Sequence, residues 1–417
     1  MPDPVRRIVI VGAGAAGLMA AGSATGDVTV LEKMPRPGMK LAITGKGRCN
    51  LTNIAPLDIF LSHFGSNGRF LKFAFSEFFS QDLISLLESL SVSTVTERGG
   101  RVFPVSNEAG DVVNALVLHA KENGARFRFK TKVKRLNIQD GKICGVEIDR
   151  PEGPEFITAD AVILACGGLS YSGTGSTGDG FAMAKAAGHT IIPTRPALVP
   201  LVTSQDTKPV QGLALKNVRV TLWVAGKKAA DDFGEMLFTH FGLSGPVILS
   251  LSRAAVDGLS AGHPVQIFID LKPALDEKKL DARLLRDLEA SGKKRIDNII
   301  KDLLPLRLIP ICLDAARIPA EKPGHQVKSE ERKRLRVWLK DFRFDVTGHR
   351  GYSEAIITAG GVSLREVYAK TMESKIIRGL YFAGETLDID ADTGGYNLQA
   401  AFSTGRLAGL AASERSK

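Results

Sequence analysis

The chain has few cysteines, and those it has are not spaced to act together. Cys49, Cys144, Cys166 and Cys312 are scattered through 417 residues without a CxxC pair. That spacing excludes zinc-ribbon, iron–sulfur and disulfide-framework classes, leaves no metal expected, and suits a reducing cytoplasm. Redox chemistry, if present, needs an organic cofactor. No apolar run reaches the roughly 18 residues of a membrane-spanning helix, so membrane insertion is not expected. Aromatic residues make up only 6% of the chain, too few to interleave with its charges as a base-stacking platform would require. Arg6 and Arg7 ahead of IVIVGAGAAGLMAAG imitate a secretory signal, but the glycine spacing inside that run has a better explanation.

Residues 6–11, RRIVIV, read as a buried parallel strand. Gly12-Ala13-Gly14-Ala15-Ala16-Gly17 follows at once, then a helix to about Ala24 and a second strand, DVTVLE, ending on Glu32, 20 positions after Gly12. Strand, GxGxxG, helix, strand and acid in this order form a dinucleotide fingerprint. Its first glycine makes the turn, its second admits the pyrophosphate, and its third lets helix and strand pack closely. The acid accepts a ribose hydroxyl. A second GxGxxG, Gly173 to Gly178, starts eight residues past its strand, and no acid ends a second strand about 20 residues later. It reads as a loop lying against the first cofactor.

After Glu32 comes a long loop, MPRPGMKLAITGKGRCNLTN, suited to covering an extended cofactor near its reactive ring. Arg101 to Val105, Arg126 to Leu136 and Ala161 to Ala165 read as strands, with a helix from about Asn107 to Asn123 and a hairpin turning at Asp140-Gly141. Near Thr190 the texture changes to short β segments, followed by a helical, basic stretch from Leu275 to Lys340. Between Ala274 and Lys340 there are 17 Lys+Arg against 11 Asp+Glu, and the whole chain carries a formal +10. The buried β pattern then resumes at AIITAGGV and GLYFAGE, and a second glycine-gated helix starts at Gly394-Gly395. The expected fold class is α/β: a Rossmann-like FAD domain in two parts, 1–190 and 353–417. A β-rich insertion, 191–352, interrupts it and carries a small basic helical subdomain at about 275–340. A length of 417 residues fits about two domains.

FAD is about twice as long as a mononucleotide, so two helix starts can serve its two ends. The first faces the ADP pyrophosphate. The second, at Gly394 to Asn397, puts backbone N–H groups beside the isoalloxazine, where reduction builds negative charge, and Glu385 takes the ribityl hydroxyls.

The segments GAGAAGLMAA, EKMPRPGMKLAITGKGRCNLTN, GGLSYSGTGSTGDGFAMAKAAGH, GEMLFTHFGLSGP and TMESKIIRGLYFAGETLDIDADTGGYNLQAAFSTG occur in this order. Together they resemble the FAD-dependent flavoproteins called BaiN-like or aminoacetone-oxidase-like, over Ile8 to about Gly409. The resemblance implies kinship with fumarate-reductase and glutathione-reductase type FAD folds. It implies that Gly12, Gly14, Ala15, Ala16, Gly17, Glu32 and Lys33 hold the ADP part and that Val133 meets adenine through its backbone. Lys40, Gly47, Arg48, Cys49 and Asn50 would line the flavin side. Ala165, Gly167, Gly384, Glu385, Gly395, Tyr396, Asn397 and Leu398 complete the implied cofactor set. The chain departs from the family pattern in having Ala165-Cys166-Gly167-Gly168 where Ala-Thr-Gly-Gly is expected.

Members of such a family resemble reductases of activated C=C bonds or oxidases of small aminoketones. The leading expectation is NAD(P)H-driven hydride transfer through the flavin to a small molecule. The alternatives are an amine oxidase using oxygen and, in another class, a flavoprotein docked on nucleic acid by its basic helices. The lack of interleaved aromatics speaks against nucleic acid. His240 and Tyr171 are candidate proton donors, and Arg48 is a candidate for binding an anionic substrate or reduced flavin. Substrate is expected between the flavin and the insertion, walled by the 167–178 loop and Phe238 to Gly245. Cys49 lacks a second cysteine for a relay, and Asp388, Asp390 and Asp392 read as turn and capping residues rather than a metal loop.

Overall fold

The computed structural model describes residues 5–149 and 153–414. The chain divides into two compact units, Met1–Ala197 with Tyr352–Lys417, and Leu198–Gly351.

The first unit is built on a five-stranded, all-parallel sheet in the order Leu380–Phe382, Ala161–Leu164, Arg7–Val11, Asp27–Leu31, Arg126–Arg128. Its three central strands, Ala161–Leu164, Arg7–Val11 and Asp27–Leu31, are short runs rich in β-branched residues and mostly buried, as a covered parallel sheet requires. Ile8, Ile10, Val28, Val30, Val162 and Ile163 are all fully buried. The run expected as one strand from Arg126 to Leu136 is in fact two. Arg126–Arg128 completes the parallel sheet, Lys130 turns the chain with φ 51°, and Val133–Gln139 joins a separate antiparallel sheet with Lys142–Ile148 and Glu155–Thr158. The hairpin between the first two of these turns at Asp140 (φ 49°) and Gly141 (φ 70°). Two consecutive positive φ values are what a right-twisted two-residue hairpin requires.

The opening helix, Ala15–Ser23, lies directly against the closing helix, Tyr396–Ser413. The contact is backbone to backbone. A Cβ on Gly405 would sit 2.2 Å from the Ala16 carbonyl oxygen, and one on Gly409 would sit 2.4 Å from that of Ala20. Both partners advance by four residues in the same direction, so the helices run parallel.

The second unit is a closed six-stranded barrel of Leu201–Thr203, Gly242–Ser244, Lys227–Phe238, Ala214–Val224, Val265–Asp270 and Phe342–His349. Every neighbouring pair is antiparallel. Between its last two strands the chain makes the helices Glu277–Ala290, Ile309–Ala316 and Ser329–Lys340. Leu280, Leu284 and Leu288 recur every four residues and are buried, which fixes one face of the first of these helices inward and leaves its charges outside.

Gly405→Val should destabilise the first unit by at least about 1–3 kcal/mol through overpacking, read as a lower denaturation midpoint. Gly110→Ala is the control. Gly110 lies in the helix Ala109–Glu122 with nothing within 4 Å of an added Cβ, and this change should be neutral or slightly stabilising.

Candidate functional site

The site begins where the first strand stops. Gly12 has φ 103°, donates to the Leu31 carbonyl at 2.8 Å, and has no room for a side chain, since a Cβ would lie 2.5 Å from the Ala165 oxygen. Gly17 meets Gly12 even more closely, with a hypothetical Cβ 1.9 Å from the Gly12 oxygen. Gly14 is different: its backbone is extended and an added Cβ would find nothing within 4 Å. Gly12 and Gly17 are therefore glycines because the protein is dense there, whereas at Gly14 the protein itself leaves open space. The helix it opens has no side-chain cap. The first N–H groups of Ala15, Ala16 and Gly17 thus face the open side of Gly14, an anion-binding arrangement.

Glu32 ends the second strand with both carboxylate oxygens held. Oε2 accepts from the Ala13 N–H at 2.7 Å and Oε1 from the Met34 N–H at 2.7 Å. The acid is fixed beside the glycine turn, where the ribose hydroxyls of an ADP group would compete for it. Lys33, the next residue, pairs with Asp179 at 2.5 Å and also bonds to Thr177, while Lys132 reaches Asp179 at 3.5 Å. Burial alone would raise the Asp179 carboxyl, but Lys33, Thr177 and Lys132 outweigh it and hold it below its ordinary value. The second GxGxxG loop accordingly lies against the segment that follows Glu32, and a Cβ on Gly175 would touch Met34. Val133 is buried at the start of its strand.

Across the sheet, the Ala165 N–H donates to Val11 at 2.9 Å, and Gly167 turns with φ 71°. Cys166, the departure from Ala-Thr-Gly-Gly, lies 3.5 Å from the Val11 oxygen through its thiol. Burial, then the Asp179 charge, push that thiol up to about 12, which disfavours the reactive thiolate at neutral pH.

The other half of the site gathers around Glu385. Lys40 Nζ donates to Glu385 Oε2 at 2.7 Å and to Ser170 Oγ at 2.7 Å, and Ser170 donates to Glu385 Oε1 at 2.9 Å. The Thr358 N–H donates to the same Oε1 at 2.7 Å. One carboxylate thus ties four segments together, with Lys40 and Glu385 both mostly buried. Gly384 (φ 65°) packs on Ala16, and its N–H donates to Thr404 at 3.0 Å.

The closing helix starts from Gly395, with φ 100° and no side-chain cap. With its amide oxygen turned toward the helix, Asn50 accepts from the Gly395 N–H at 3.0 Å, and Asn53 donates to the Gly394 oxygen at 3.2 Å. Asn397 closes the preceding loop on itself through Ala391, both bonds at 2.8 Å, and Leu398 is half-buried behind it. Gly45, Lys46, Gly47 and Cys49 all have positive φ, a strained loop beside these asparagines. The Cys49 thiol is buried and pushed to about 12. Asp392 does not cap the closing helix, contrary to the sequence expectation; its carboxylate bonds to His63 at 2.9 Å instead.

The candidate catalytic residues fall in different places. Tyr171 is half-buried in a left-handed conformation, φ 54°, its N–H donating to Tyr352 at 3.1 Å. The Arg48 guanidinium bonds Asn107 at 2.7 Å, pairs with Glu97, and stacks 4.1 Å from the centre of the Phe103 ring. Its charge is therefore already matched. His240 belongs to the second unit, exposed in a turn, with its ring edge-on to Phe241 at 5.0 Å. Ser170, Thr177, Asp179 and Thr358 were missed in the sequence. Ser170, Thr177 and Asp179 sit in or next to the glycine-rich loop and gave a signal; Thr358, inside an apolar strand, gave none. Among the described residues, no group of three His, Cys, Asp or Glu side chains is placed to hold a metal ion, and no helix is long and apolar enough to cross a membrane.

The two open helix starts are held in one register. Gly405, nine residues past Tyr396, contacts Ala16, one residue past Ala15. The starts point the same way with a stagger of eight residues, about 12 Å at 1.5 Å per residue. This architecture is that of a FAD-dependent oxidoreductase with a Rossmann-like fold. The chain belongs to the family described as HI0933-like protein Rossmann domain, which it matches over residues 6–411. It is 32% identical over 416 residues to the 3-dehydro-bile acid delta(4,6)-reductase of Clostridium scindens, covering 99% of this chain and 100% of that one. It is 29% identical over 404 residues to the ribosomal RNA dihydrouridine synthase of Escherichia coli, covering 95% of each. Among solved structures, the 3-ketosteroid-delta4-(5alpha)-dehydrogenase from Rhodococcus jostii RHA1 superposes with a TM-score of 0.51 over 99% of this chain and 98% of that one. At 16% identity that likeness concerns the fold.

Gly14→Ala should leave the protein folded, because an added Cβ meets nothing in it within 4 Å, yet weaken FAD uptake. Glu32→Ala should weaken FAD binding about ten- to hundredfold, the value of a hydrogen bond to a charged group. Titration of the refolded apoprotein with FAD, alongside circular dichroism, checks both.

Proposed function

We propose that this protein reduces a C=C bond conjugated to a carbonyl, with NAD(P)H as electron donor. The observation that carries this reading is the end-to-end match to a reductase, the 3-dehydro-bile acid delta(4,6)-reductase, whose substrate class contains such a conjugated bond. When bound, the flavin would accept hydride from the nicotinamide and return it through N5 to the unsaturated carbon. The protein's part is to hold and to charge-balance. The Gly14 turn and Glu32 fix the adenosine end, and the Lys40–Ser170–Glu385–Thr358 network orients the ribityl stretch. The N–H groups at the start of the closing helix stabilise the negative charge that reduction builds on the ring. A proton must follow the hydride, and Tyr171 and His240 are the proposed donors.

A second reading keeps this chemistry and changes the substrate. The uracil 5,6-bond is also conjugated to a carbonyl, and the Escherichia coli relative is named as a ribosomal RNA dihydrouridine synthase. The observation in its favour is charge: residues 198–351 hold 26 Lys+Arg against 19 Asp+Glu, seven of the ten net positive charges of the chain. Lys293, Lys294 and Arg295 are all exposed there. The amine-oxidase reading has less support, since the D-amino acid dehydrogenase of Dechloromonas aromatica aligns with only 24% of this chain.

Anaerobic mixing with NADH or NADPH should bleach the flavin, and a 3-oxo-4,6-diene steroid or a uridine-containing RNA should then restore its colour. Bleaching by an amine or aminoketone instead, with no response to nicotinamide, would establish the oxidase. Tyr171→Phe and His240→Ala should leave nicotinamide reduction intact and slow reoxidation by the organic acceptor about 10²–10⁴-fold for a true donor. Parent rates in both would remove these residues from the mechanism.

A further inference from the structure

One ionisable pair stands at the start of the closing helix without a part in the account above. His63 follows the helix Leu57–Ser62 and stacks on Tyr396, ring centres 3.9 Å apart and 20° from parallel. Its Nδ1 lies 2.9 Å from Asp392 Oδ2. A carboxylate only accepts, so Nδ1 carries the proton and donates. Phe60, one turn earlier, meets the same Tyr396 ring edge-on at 4.7 Å, so the segment is anchored and the imidazole is held in place.

Asp392 is awkwardly sited. It lies two residues before Gly394, and Asn397 Nδ2 donates to its backbone oxygen at 3.3 Å, binding it to the loop that opens the helix. Its charge reaches the first helical residue: burial and then the Asp392 carboxylate push the Tyr396 hydroxyl above its ordinary value. A free carboxylate there could swing toward the bare N–H groups of the helix, whose positive end attracts an anion. It would also oppose the negative charge that reduction of the flavin creates at the same helix start. The helix nevertheless has no side-chain cap, and Asp392 is turned to His63.

We propose that His63 is a positioning residue for the cofactor: it draws the Asp392 carboxylate away from the Gly394–Gly395 helix start and so keeps that helix end positive for the reduced flavin. The inference rests on the FAD assignment but not on which substrate is reduced. It concerns the flavin's own equilibrium rather than turnover.

The experiment is dye-equilibration titration of the FAD-loaded protein, with the midpoint potential and the FAD dissociation constant as readouts. His63→Ala should shift the oxidised-to-reduced ratio about two- to fivefold toward oxidised, the size of a charge effect at a helix end, or about 10–20 mV lower for a two-electron couple. Adding Asp392→Asn to His63→Ala should restore the parent potential, because it removes the charge that His63 holds away. His63→Gln keeps an N–H donor and should stay close to the parent even if His63→Ala folds poorly. An unchanged potential in His63→Ala overturns the proposal. So does a lowered potential that Asp392→Asn fails to restore, which would mean that only packing was lost. A protein that takes up no FAD at all would overturn the cofactor assignment first and this inference with it.

Discussion

The contact on which the site depends is the parallel packing of the opening helix against the closing one at backbone distance. Gly405 and Gly409 have no side chains, so Ala16 and Ala20 press their carbonyls into the spaces left. Any larger residue would separate the helices and change where each begins. Their register sets the stagger between two bare helix starts, and that stagger determines what length of ligand both can hold. The opening and closing helices thereby lie in one unit with their positively polarised ends aimed the same way.

Around this pair several charged side chains are held by partners within the protein. Glu32 is held by two backbone N–H groups, and Glu385 is held by Lys40, Ser170 and Thr358. Lys33 is occupied by Asp179, and Asp392 is turned to His63. The Cys49 and Cys166 thiols are pushed up to about 12, chiefly by desolvation, which disfavours their thiolates.

Much of this was legible in the sequence, for identifiable reasons. The fingerprint from Gly12 to Glu32 is local, because turn, helix start and acid are fixed by spacing along one stretch. The α/β fold with a β-rich insertion followed from strand texture and from the return of buried β runs near the end. What was not legible depended on long-range pairing. Nothing in the stretch 126–136 announces that it is shared between a parallel and an antiparallel sheet, since both are β and only the turn at Lys130 separates them. Thr358 lies in an apolar strand and shows its role only when Glu385 arrives from 27 residues away. Asp392 looks like a capping residue by position, and only the distant His63 shows otherwise. Arg48 reads in sequence as a candidate for binding an anionic substrate or reduced flavin, and only folding brings Glu97 and Asn107 to it.

The most direct test of the account is the cofactor itself. Protein purified or reconstituted with excess FAD, desalted, and denatured for chromatographic analysis of the released flavin should yield one FAD per chain. FMN in its place would mean that the opening helix and Glu32 hold no adenosine. A chain that folds but retains no flavin would contradict the claim that two staggered helix starts were built around one dinucleotide.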